Sequence, residues 1–181
     1  MPELPRLLAA LDNRRAEFLA GLESVPPEQR DRAPSQAAWS PLQIGEHLLI
    51  SERGFAHITA RQLEKGDDRR RFGEPSERSV EGLIQAMRTP AQFKIPKGVE
   101  AIAPTGAVPY DVLRRDWQAA GERWHEIIAT FPPELETEAL VMHPVGGPLT
   151  TAQTLRFLEA HIEHHLHQLG RTVRALNQAP A

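Results

Sequence analysis

With 181 residues, 40% of them hydrophobic and 25% charged, the chain is long enough for a single domain (1–181) with a sizeable core. Its net charge of −3, and the shortness of its basic run at Arg69-Arg70-Arg71, speak against a nucleic-acid partner. The chain has no cysteine, which excludes disulfides, thiolate nucleophiles and cysteine-held zinc or iron–sulfur sites, so any metal must be bound by histidine and oxygen ligands.

A first helix is expected from about Leu4 to Glu23. Leu7, Leu8, Leu11, Phe18, Leu19 and Leu22 share one stripe, with Asp12, Arg14, Arg15 and Glu17 mostly off it. Pro26-Pro27 stops it, and a polar connector follows to Ala38. A second helix opens at Ser40 as N-cap with Pro41 in the first helical position, and Trp39 placed to staple onto the first turn. It runs to about Leu63 and ends near Lys65-Gly66. Inside it lies His47, among apolar neighbours. Alone, such a histidine is an ordinary core residue; two turns into a helix opened by Trp-Ser-Pro, it is a candidate ligand.

Asp67 to Ser76 reads as a loop, and Ser79 to Arg88 as a short helix capped by Ser79. Pro90, Pro96, Pro104 and Pro109 leave little room for a helix between residues 90 and 109. Phe93, Ile95, Val99 and Ile102 in that insert are candidates to cover a pocket mouth or a subunit contact. A third long helix spans about Pro109 to Thr130, carried by Val112, Leu113, Trp117, Trp124, Ile127 and Ile128, with His125 a surface histidine. Glu134 to Pro148 is extended and turn-rich, with a short strand or irregular hairpin around Val141 to Pro148. The last helix starts at Thr150 or Thr151 and continues to about Leu176. Four long amphipathic helices with long irregular connections make an all-α four-helix bundle. No apolar run approaches the roughly 18 residues of a membrane span. The start Met1-Pro2-Glu3 lacks a basic-then-apolar signal, so the expected location is cytoplasmic.

Four of the eight histidines fall between Leu158 and Gln168. At about 100° per residue, His161 and His165 point the same way, roughly 40° apart. His164 sits at the edge of that face, Gln168 continues it, and His167 points away. Two imidazoles at i and i+4 converge on one cation, and His47 is the candidate third ligand. Three protein ligands leave positions open, as catalytic sites do. An all-imidazole set suits zinc, nickel, iron or copper and not calcium or magnesium. Glu46 and Glu163 stand about 100° around the helix from their histidine neighbours, so neither is well placed as a general base, and Glu159 is weaker still.

The pairing of Trp39-Ser40-Pro41-Leu42-Gln43-Ile44-Gly45-Glu46-His47-Leu48 with His161-Ile162-Glu163-His164-His165-Leu166-His167-Gln168 resembles the DinB-like superfamily. Within it, the similarity is to YfiT-like metal-dependent hydrolases and bacillithiol S-transferases. The resemblance implies a four-helix bundle, usually homodimeric, with a divalent transition metal, zinc or nickel foremost, at His47, His161 and His165. His164 and Gln168 are then candidates to orient an imidazole. The implied activity is transfer of a low-molecular-weight thiol onto a small-molecule electrophile. Alternatives are hydrolysis through metal-bound water, a stress-related binding protein with a non-catalytic metal, and a metal-free helical module.

Overall fold

The computed structural model describes residues 3–89, 100–106 and 108–178. Helices α1 (Glu3–Glu23), α2 (Pro41–Glu64), α4 (Tyr110–Ala129) and α5 (Thr151–Gln178) form the bundle. In it α1 lies chiefly on α5 and α2 on α4, while α2 also meets α5 and α1 meets α4. The apolar stripes explain the arrangement: Leu11, Phe18, Leu22, Ile44, Leu113, Trp117, Trp124 and Leu155 are fully enclosed where the four helices meet. This is the expected all-α four-helix bundle. No helix among the described residues is long and apolar enough to cross a membrane.

Two elements are added to it. A shorter helix, α3 (Glu77–Met87), and a hairpin of β1 (Ala139–His143) and β2 (Gly147–Thr150) pack on α5 through a second cluster of Val80, Ile84, Val141, Leu149 and Ala160. The strands are antiparallel, pairing Val141 with Leu149 and His143 with Gly147. The expected short helix is present, but its cap is Ser76, whose hydroxyl accepts from the amide of Ser79.

Both α2 and α5, which carry His47 and His161 with His165, begin at a reciprocal cap. Ser40 accepts from the Gln43 amide at 3.2 Å, and the Gln43 side chain accepts from the Ser40 amide at 2.9 Å. Thr150 and Gln153 repeat this pattern at 3.1 and 3.0 Å, so the last residue of β2 is also the cap of α5. These caps set where along each helix the histidines fall.

The sequence puts Arg15 off the apolar stripe, but the structure buries it. Its guanidinium clasps Glu52, which is 1% exposed, at 2.6 Å, and Trp117 donates to the same carboxylate at 2.6 Å. Burial opposes the Arg15 charge, and Glu52 outweighs that cost, holding the guanidinium pKa above its ordinary value. Gly121 makes room for the pair: a Cβ there would stand 2.6 Å from Arg15 Nη1. Trp39 sets its ring against His47 and His165 at centroid distances of 5.0 and 6.3 Å. Phe93, Ile95 and Val99 lie outside the described residues. Ile102 is half-buried in a 3-10 turn, Glu100–Ile102, lodged on α2.

Candidate metal centre

His47 comes from the middle of α2, and His161 and His165 from successive turns of α5. All three are buried, at 4%, 8% and 6% exposure. His161 Nε2 stands 3.1 Å from His47 Nε2 and 3.1 Å from His165 Nε2, and the three atoms lie within 4.8 Å of one another. Two nitrogens each about 2.1 Å from one ion are separated by about 3.0 Å at right angles and about 3.4 Å at the tetrahedral angle. The observed spacing falls in that range. Among the described residues no further histidine or carboxylate joins the group.

The protons make the case sharper. His47 Nδ1 donates to the carbonyl of Ile102 at 2.8 Å, and His165 Nδ1 donates to Gln168 Oε1 at 2.6 Å. Each of these neutral rings therefore turns an unprotonated Nε2 inward. His161 lies between them. A proton on its Nε2 serves one neighbour squarely and leaves the other lone pair unanswered. A proton on its Nδ1 sits on a buried atom that has no hydrogen-bond partner. A cation at the focus of the three Nε2 atoms resolves the conflict, and the donor set fits a first-row divalent ion. Burial pushes the pKa of His47 down, and pushes those of His161 and His165 well down with help from each ring's neighbours, so the rings stay neutral and available as ligands.

The surroundings hold this geometry. Glu46, next to His47 and 4% exposed, faces away from the imidazoles. Its carboxylate accepts from Thr105 Oγ1 at 2.6 Å and from the Gly106 amide at 2.8 Å. Gly106 has φ +76° and packs against Gln43, where a Cβ would stand 3.0 Å from Gln43 Nε2. This latch holds the 100–106 segment where the Ile102 carbonyl reaches His47. Trp39 on one side and Phe157, stacked 5.3 Å from His161, on another wall the imidazoles with aromatic rings.

Of the two expected orienting partners, Gln168 binds His165. His164 Nδ1 donates to the Met87 carbonyl at 2.8 Å, and its ring stands 5.2 Å from that of His165. His125 is exposed and paired to Asp12, as expected of a surface histidine. Glu163 pairs with Arg88, and Glu159 with Arg14 and Arg88, so neither faces the imidazoles.

Sequence reasoning passed over His143. Its Nδ1 accepts from the amides of Val145 and Gly146 at 3.1 and 2.8 Å, which places its proton on Nε2. Its ring packs 4.5 Å from Phe157, which in turn stacks on His161. Burial lowers its pKa to about 4. The signal was the His143-Pro144-Val145-Gly146 order, a side chain able to accept from the amides of the turn it opens.

Taken together these features define a class: a four-helix-bundle protein with three histidines, from two helices, that could hold a metal. The chain belongs to the DinB superfamily, whose family profile matches residues 10–169 and so spans all three histidines. Neither the curated proteins nor the solved structures contain a match to it.

Proposed function

We propose that this chain is a metal-dependent enzyme that transfers a low-molecular-weight thiol to an electrophilic small molecule, with His47, His161 and His165 as metal ligands. The convergence of three Nε2 atoms, those of His47 and His165 unprotonated, carries this reading. A divalent transition metal held there, zinc or nickel foremost, would supply the Lewis acidity that keeps a thiol as thiolate at neutral pH. The sulfur then forms the new S–C bond, the leaving group departs with its electron pair, and the thiol proton goes to solvent. The aromatic walls of Trp39 and Phe157 restrict water around the reacting sulfur.

The disposition of carboxylates favours thiol transfer over hydrolysis. Hydrolysis of unactivated substrates calls for a general base beside the attacking water. Glu46, Glu159 and Glu163 are committed to Thr105 and Gly106, to Arg14 and Arg88, and to Arg88. A thiol is intrinsically more acidic than water and so depends less on such a base. The resemblance to YfiT-like bacillithiol S-transferases points the same way and adds a homodimer, which light scattering of the purified protein checks.

The test is elemental analysis followed by turnover. The purified protein is expected to carry one divalent metal per chain, and His47→Ala and His161→Ala to lose it. With a panel of small thiols and a chromogenic aryl halide, conjugation should fall at least about 100-fold in both variants. Thiol-independent cleavage of a p-nitrophenyl ester would select the hydrolase instead. Full metal occupancy in both variants would refute the ligand assignment, and metal without turnover would make the centre structural.

A further inference from the structure

One feature of the surface is not used by the metal centre. A groove of about 420 Å³ is lined by Arg88, His167, Arg171 and Arg174. Three guanidiniums and an imidazole thus gather on a chain whose net charge is −3. His167, Arg171 and Arg174 follow one another at i, i+4 and i+7, so they form one stripe along α5. Arg88 arrives from the end of α3, where the preceding residue, Met87, is bound by His164.

The usual structural reasons for such a cluster do not account for it. Arg88 is paired with Glu159 and Glu163. Arg171 and Arg174 have no carboxylate partner among the described residues, and like charges at i, i+3 repel. Nor do they lie in the last turn of α5, where the helix dipole would favour a cation. The groove opens on a different face of α5 from the three imidazoles, since His167, Arg171 and Arg174 stand about 200°, 240° and 180° around the helix from His165.

We propose that this groove is an oxyanion-binding site, taking the carboxylate or phosphate of a small molecule. The groove's affinity for anions does not rest on the function proposed above. The guanidinium forks of Arg171 and Arg174 receive the anion as paired N–H donors, and Arg88 and His167 close the rim. The ligand class is therefore a small molecule bearing a carboxylate or phosphate, and the site discriminates against neutral analogues.

The experiment is calorimetric titration of the protein as purified with two probes, inorganic phosphate and succinate, with metal content measured in parallel. Arg171→Gln/Arg174→Gln is compared with wild type and with Arg61→Gln/Arg115→Gln, which removes two exposed charges elsewhere. Saturable binding weakened at least about 10-fold in the first double variant, and unchanged in the second, supports the site. Arg171→Lys, which keeps the charge and loses the fork, should fall between. Preference for phosphate or for succinate tells a phosphoryl from a carboxylate ligand. Absence of saturation by either probe, or equal affinity in wild type and the Arg171/Arg174 variant, overturns it. Because metal content is read separately, loss of the metal reading and loss of the anion site are distinguishable.

Discussion

Glu46 is the chain neighbour of His47 and yet acts on it through a detour. By gripping Thr105 and Gly106 it fixes the carbonyl that takes the Nδ1 proton of His47. Removing such an outer partner weakens metal binding by typically 10–100-fold. Glu46→Ala should therefore retain metal in the absence of competitor and lose it to a chelator at about 10–100-fold lower concentration than wild type. An unchanged competition curve would mean that the Ile102 contact does not depend on the latch. His143 makes a prediction about acid. Its folded pKa of about 4 lies below its ordinary 6.5, so between these values the unfolded chain holds a proton that the folded chain lacks. Stability is then present above about 6.5 and falls as pH drops towards 4, by up to about 3 kcal/mol from this one group. Urea unfolding in chelator at several pH values should show a shallower slope for His143→Gln than for wild type. At this scale the i, i+4 spacing made His161 and His165 legible. The partners that decide tautomers were not, because the Ile102 carbonyl stands 55 positions from His47 and no local pattern encodes it.

At the scale of the elements, hydrophobic periodicity made all four long helices and their order visible, and Ser40-Pro41 marked the start of α2. What it missed is charge inside the bundle. Arg15 looks like a surface residue because its partner, Glu52, is 37 positions away on another helix. That pair joins α1 to α2, and through the Trp117 indole to α4. Glu52→Ala leaves the guanidinium buried and uncompensated and should cost about 3–5 kcal/mol by chemical denaturation. Arg123→Ala, which removes exposed pairs on α4, should cost less than about 1 kcal/mol. Similar losses for the two variants would show that the buried pair is no more than a surface one. The hairpin was only half legible, since Gly146-Gly147 signals a turn while its pairing depends on the cover supplied by α3 and α5.

For the molecule as a whole, the three imidazoles join α2 to α5, so a bound ion ties the two halves of the chain together. Metal that binds only the folded form stabilises it by about 2.7 kcal/mol at a hundred times its dissociation constant. Adding zinc or nickel to chelator-stripped wild type should raise Tm by several degrees, and His161→Ala should not respond. Equal melting temperatures with and without metal in wild type would favour a metal-free helical module.

The placement of the three histidines also has a consequence for biosynthesis. One imidazole is made with α2 and the other two only with α5, so a nascent chain extended as far as β2 holds a single member of the set. A product that stops before that helix is expected to lack the metal affinity of the full set.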